Sequence, residues 1–194
     1  MNLKGELIVS FSFHVPTNFV FGQGAIQKLH KQRLPGKKAL IVISAGKSTR
    51  ANGYLDIVQD ELTQAGVAYA VFDKILANPV LDNVMDGAAF ARAEGCDFVV
   101  GLGGGSSIDA AKAIAMMVPN EGNYWDYIYG GTGGGQRMKN KPLPIVAIPT
   151  TAGTGTELDA WTVVTNEETK EKMSGGNKNT FPVLAIVDPN FMLS

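Results

Sequence analysis

The chain has 194 residues, 45% hydrophobic and 18% charged, with 17 Lys and Arg against 18 Asp and Glu for a net charge of −1. This composition excludes a disordered chain, and the length allows one domain or at most two small ones. With no basic excess there is no footprint for nucleic acid. No apolar run reaches the ~18 residues of a membrane span, and Glu6 interrupts the N-terminal apolar stretch where a signal peptide would need continuity.

In chain order, the first predicted element is a β-hairpin. Val9, Phe11 and Phe13 alternate with serines and His14, and Asn18 to Phe21 follows a Pro-Thr turn. Ala39 to Ile43 is a short β-branched run, which reads as a strand buried on both faces. Leu55, Val58, Leu62 and Ala65 recur at helical spacing, with Gly66 as a stop. Val67 to Phe72 is the next strand. Asp82 is placed to cap a helix that runs to about Glu94 and closes at Gly95. Asp97 to Leu102 is a third central strand. It leads into a helix of small residues, Ala110, Ala111, Ala113 and Ala115, with Ser106 or Ser107 as cap. Gly130 to Gly135 reads as a flexible surface loop. Pro144 to Ile148 and Val183 to Val187 are two more buried strands, and Trp161 to Ser174 reads as a second hairpin. Five buried strands with intervening helices predict a Rossmann-like parallel sheet, helices on both faces and a β-hairpin at the N-terminal edge.

Few residues offer chemistry outside the loops. Two histidines, His14 and His30, are too few for a His-rich metal site, and they read as structural or surface residues. The lone Cys96 cannot form an internal disulfide, which points to the cytoplasm. Its place before a buried strand suits packing. Tyr124, Trp125, Tyr127 and Tyr129 read as a packing cluster.

The glycines are concentrated. Gly101-Leu102-Gly103-Gly104-Gly105-Ser106 leaves a strand and enters a helix. Glycines let backbone N–H groups approach an anion, and a helix N-terminus adds free donors and positive partial charge. A tight turn alone would need one glycine. The spacing lacks the third glycine of the usual dinucleotide fingerprint and follows the third central strand, not the first. Gly46-Lys47-Ser48 ends like a P-loop, but Ile41 stands where that motif needs Gly. A second polar loop, Pro149 to Glu157, offers threonine hydroxyls and amides at the same end of the sheet.

Together these motifs resemble the iron-containing (group III) alcohol dehydrogenases, in particular the butanol-dehydrogenase-like branch. The matching stretches are Phe21-Gly22-Gln23-Gly24, Asn78-Pro79, Gly103 to Lys112, Ile148 to Glu157, Val164 to Lys170 and Asp188-Pro189, in the family's order. The resemblance implies that residues 1–194 form a dinucleotide-binding domain like the N-terminal domain of dehydroquinate synthase. Gly104, Gly105 and Ser106 would then sit against the pyrophosphate. Thr150, Thr151 and Thr154 would line the adenine and ribose side, and Asn78 and Lys172 would reach the cofactor near its riboses. Asp109 belongs to the motif and either joins the site or pins the helix start. NAD-preferring members often carry an Asp after the first central strand. Here Ser44 takes that place, followed by Lys47 and Ser48. Lys47 and Ser48 would attract a 2′-phosphate, so NADP(H) is expected over NAD(H); the plainer reading is a solvated loop with Ser48 as a helix cap.

The family's metal is held by one Asp and three His in a helical domain that would begin after Asp188-Pro189. No catalytic residue and no metal ligand is therefore assigned here, and Fe²⁺ or Zn²⁺ is expected only in a full-length chain. The expected function is the NAD(P)-binding half of an enzyme that transfers hydride between the cofactor and a small primary alcohol or aldehyde. The alternatives are a stand-alone dinucleotide-binding module without turnover and a glycerol-dehydrogenase-like relative. The Thr150 to Glu157 motif leans away from the latter. The chain alone should be inactive, and its uncovered apolar surface should make it a homo-oligomer or an aggregation-prone monomer.

Overall fold

Alternating runs of β-branched and helix-forming residues build a parallel sheet in the computed structural model, which describes residues 10–193. The strands are β1 (Asn18–Phe21), β2 (Lys38–Ser44), β3 (Ala68–Ile75), β4 (Phe98–Gly103), β5 (Ile145–Pro149), β6 (Thr162–Asn166), β7 (Glu171–Gly175) and β8 (Leu184–Val187). The α-helices are α1 (Ser48–Ala51), α2 (Tyr54–Gln64), α3 (Leu81–Glu94) and α4 (Gly105–Met117). Six strands form the main sheet in the order β1-β8-β5-β4-β2-β3, every pair parallel. β6 and β7 form the second predicted hairpin, antiparallel, with Thr165 opposite Lys172.

Period-two alternation sends the side chains of each central strand to two separate cores. Leu40, Val42 and Val99 pack with α3 and α4, through Val84, Ala88, Ile114 and Met117. Ala39, Ile41, Ile43, Val100 and Leu102 pack on the other face with Leu55, Val58 and Leu62 of α2 and with the 3-10 turn Ala25–Lys31. Each fully buried Val, Leu or Ile contributes about 1.5–3 kcal/mol, so both cores are needed to hold the sheet.

The strand order fixes where a ligand can sit. From β2 the chain moves outward to β3, then crosses back over β2 to β4 and continues to β5. The loops after β2 and β4 therefore leave in opposite directions and open a crevice at the carboxyl ends of the strands. This is the order in which the glycine loop belongs after the third central strand, which accounts for its unusual position in the sequence.

Several local expectations are corrected. The N-terminal hairpin reaches back to Val9, which lies outside the described residues. Within them, Asn18–Phe21 is a single edge strand pairing parallel with β8, while residues 10–16 carry no strand. β3 is the opposite edge of the sheet and is half exposed, so it is not buried on both faces. Val80, not Asp82, holds the cap position of α3 and has no side-chain cap; Asp82 lies in the first turn. Neither Ser106 nor Ser107 caps α4, whose cap is Gly104, and Ser48 is inside α1, after Lys47. The Gly130 to Gly135 loop is tied down. Gly134 and Gly135 donate to the carbonyls of Trp125 and Ile128, and Thr132 is held by Glu171. No described helix is long and apolar enough to cross a membrane.

Candidate functional site

The four glycines of the β4–α4 turn divide into two kinds. At Gly101 an added Cβ would lie 3.0 Å from both the Ile108 Cα and the Ala111 Cβ, so this glycine lets α4 lie close on β4. Gly103 has φ +145°, and a Cβ there would lie 2.6 Å from the Ser107 Oγ. These two serve packing and the turn. Gly104 and Gly105 instead face a crevice wall: their added Cβ atoms would meet Thr151 Oγ1 at 3.4 Å and Thr154 Cγ2 at 3.3 Å. The glycine loop and the threonine loop thus face each other across a gap that an added Cβ would fill. A backbone bond from Thr150 N to the Gly103 carbonyl, 2.9 Å, fixes the two loops together. The first N–H groups of α4, at Gly105 and Ser106, have no acceptor within the helix.

A third wall comes from the loop after β3. Ser106 Oγ donates to the carbonyl of Ala77. Thr165 N donates to the Pro79 carbonyl at 2.8 Å, tying that loop to β6. Because Lys172 is opposite Thr165 on β7, its ammonium reaches Asn78 and donates to Oδ1 at 2.9 Å. The residues expected at the cofactor's two ends are therefore gathered at one end of the sheet: Gly104, Gly105, Ser106, Thr150, Thr151 and Thr154 in facing loops, Asn78 and Lys172 as a bonded pair.

Ser44 and Lys47 line a neighbouring cleft of about 420 Å³ after β2, with Arg50 and Asp73. Ser48 does not line it. Arg50 and Asp73 form an ion pair at 2.6 Å. Sequence reasoning missed both residues; Asp73 belongs to β3, a strand whose edge position was not read.

Asp109 does not join the crevice wall. Its carboxylate accepts from Thr156 Oγ1 at 2.6 Å and from Val163 N at 3.0 Å, so it ties α4 to the segment leading into β6. Burial raises its pKa, with the Thr156 hydroxyl and Lys112 pulling the other way. Beside it, Lys112 is fully buried (0% exposed), and all three of its ammonium protons have partners. Its Nζ donates to Thr156 Oγ1, Asp159 Oδ1 and the Trp161 carbonyl, each at 2.8 Å. Burial lowers the Lys112 pKa, and Asp159 opposes this. Asp109 and Lys112 both tie α4 to the end of the threonine loop. A signal for Lys112 was present: Ile108, Ala111, Lys112 and Ala115 share one face of the helix by spacing.

The other candidates behave as packing. Cys96 is buried, and burial raises its thiol pKa. Tyr124 is buried and its hydroxyl pKa is raised well above the ordinary phenol value, again by burial. Tyr129 is the exception in its cluster, since it is largely exposed.

The fold and the opposed loops define a doubly wound α/β domain whose glycine and threonine loops face each other at the switch point of the strand order. Residues 16–189 match the family described as iron-containing alcohol dehydrogenase. The chain belongs to that family. It is 36% identical over 197 aligned positions to choline dehydrogenase of Bacillus subtilis, covering 100% of this chain and 48% of that protein. It is 38% identical over 185 positions to 1,3-propanediol dehydrogenase of Klebsiella pneumoniae, covering 94% and 46%. Among solved structures, NADH-dependent butanol dehydrogenase A of Thermotoga maritima superposes with a TM-score of 0.86 at 36% identity, covering 94% of this chain and 45% of that one. The chain therefore spans about half the length of the relatives it matches.

The family description implies iron. Among the described residues no three His, Cys, Asp or Glu side chains come together in a way that could hold a metal ion. The described residues do not fit that metal.

Proposed function

We propose that residues 1–194 form the dinucleotide-binding domain of an alcohol dehydrogenase that acts in the cytoplasm on a primary alcohol or aldehyde. The observation that carries this reading is the opposed pair of loops, Gly104 against Thr151 and Gly105 against Thr154, at the N-terminus of a 13-residue helix. A pyrophosphate fits such a place because side-chain-free backbone lets it reach the helix N–H groups. In this reading Gly104, Gly105 and Ser106 hold the pyrophosphate, Thr150, Thr151 and Thr154 flank the adenosine, and the Asn78–Lys172 pair orients a ribose. The bound nicotinamide supplies the hydride-carrying carbon. The part of the relatives to which this chain does not align supplies metal and most of the substrate pocket. The 194-residue chain alone therefore gives no alcohol-dependent reduction of NAD(P)⁺.

The second part of the proposal is a preference for the 2′-phosphate of NADP(H). Ser44 and Lys47 support it, because no carboxylate stands at the end of β2, and the cleft's one acid, Asp73, is already paired with Arg50. The Thermotoga relative, named as NADH-dependent, weighs on the other side. Fluorescence titration with both cofactors decides. Ser44→Asp should weaken NADPH binding about tenfold, equivalent to about 1.4 kcal/mol, with NADH less affected. Native binding of NADH tenfold tighter than NADPH would overturn the preference and leave the domain assignment standing.

A further inference from the structure

The opposite end of the sheet carries a feature that the crevice does not use. Arg137, Lys139, Lys141 and Lys178 line one cleft of about 530 Å³, with no carboxylate among its lining residues. Lys141 precedes β5 and Lys178 precedes β8, so the cleft lies at the amino ends of the strands, away from the glycine loop. Among the described residues none of these four cations is ion-paired, whereas Lys38, Arg50 and Lys112 each hold a carboxylate. In a chain of net charge −1, four uncompensated cations around one concavity are a local excess, and their mutual repulsion favours an anion between them.

The two segments that carry these cations are fixed from beneath by buried polar anchors. Asn120, only 3% exposed, accepts from Asn140 N at 2.9 Å and donates to the Asn140 carbonyl at 3.0 Å, which holds the Arg137 to Lys141 strip. Thr180, 0% exposed, accepts from Asn177 N at 2.8 Å and donates to the Ala160 carbonyl at 2.6 Å, which holds the turn carrying Lys178. Gly176 in that turn has φ +130°. The cleft is thus preorganised, and ordering its backbone costs a ligand little. Its volume suits a small molecule, and Tyr127 and the exposed Tyr129 stand in its wall.

We infer that this cleft binds an oligophosphate, either free or carried by a nucleotide. Several charges along a short flexible chain can engage cations on both facing segments at once, which a single-charge anion cannot. Tyr129 offers a ring against which a base can stack.

The test is calorimetric titration of the 194-residue chain with tripolyphosphate and, separately, magnesium-free ATP, at fixed ionic strength. The variants are Lys139→Gln with Lys178→Gln, Tyr129→Ala and Gly105→Val. Because both probes also carry the groups the crevice would hold, the lysine and Tyr129 variants are compared in the Gly105→Val background, where the double glutamine variant should bind both probes at least tenfold more weakly than Gly105→Val alone. ATP binding tighter than tripolyphosphate, with the advantage lost in Tyr129→Ala, marks the ligand as a nucleotide; equal affinities mark free oligophosphate. Both lysines are exposed, so thermal unfolding should be unchanged; should the double variant not fold, each single glutamine variant carries the same expectation. Absence of binding by either probe, or undiminished affinity in the lysine variants, overturns the inference. Loss of binding in Gly105→Val alone also overturns it, since the anion site would then be the crevice. Because Gly105 lies at the other end of the sheet, the cleft and the dinucleotide crevice stand or fall separately.

Discussion

At the scale of single residues, the buried partnership of Asp109 and Lys112 makes a pH-dependent prediction. The Asp109 pKa is raised in the folded chain, so between its unfolded value and its folded value the folded state binds more protons. Its contribution to stability is then full below the unfolded pKa and is lost as pH rises through the folded one. Asp109→Asn removes that dependence. Chemical denaturation from pH 7 down to pH 4 should show the native chain gaining relative to the variant as pH falls; a constant difference would contradict the raised pKa. Little of this pair was legible in the sequence. Lys112 stood on an apolar helix face, but its partners Thr156, Asp159 and the Trp161 carbonyl are 44 to 49 residues away, and no local spacing reports them. Asn78 and Lys172 are 94 residues apart and were expected together only through the family resemblance.

At the scale of elements, the crevice depends on how closely α4 lies on β4. Gly101→Ala would press a methyl group against the Ile108 Cα, which is backbone and cannot rotate away. Overpacking of this kind costs about 1–3 kcal/mol. Thermal unfolding and cofactor titration should therefore show Gly101→Ala losing stability and dinucleotide affinity together. Unchanged affinity in a destabilised variant would mean that the seating of α4 does not set the crevice. The central strands were legible because burial on both faces demands continuous apolar runs, as in Ala39 to Ile43 and Ile145 to Ile148. The edges were not. Val67 to Phe72 has the same apolar density as a central strand, yet β3 has a neighbour on one side only, and composition does not report position in a sheet. Helix starts were misplaced for a related reason. Serines and aspartates near α1, α3 and α4 matched a cap pattern, but the Ser106 hydroxyl turns to the Ala77 carbonyl instead of to its own helix.

At the scale of the molecule, the uncovered apolar surface is concentrated at the β1 edge. Phe19 and Phe21 stack with ring centroids 6.2 Å apart, Phe21 is 65% exposed, and Phe11 and Phe13 are more exposed still. An edge strand with exposed aromatics is a template for association, so the chain should self-associate through this edge. Sedimentation should show a concentration-dependent oligomer that Phe21→Lys shifts toward monomer; an unchanged distribution would place the contact elsewhere. Dinucleotide binding by this domain depends on the proposed contact of the loop Gly104 to Ser106 with the cofactor's pyrophosphate. Calorimetric titration of NADH and NADPH into the native chain and into Gly105→Val tests it most directly. The Val side chain would project from Gly105 toward Thr154, into the gap between the two loops. The native chain should bind at least one of the two cofactors, and Gly105→Val should bind it at least tenfold more weakly, a loss of about 1.4 kcal/mol. Equal affinity in the native chain and in Gly105→Val would contradict that contact.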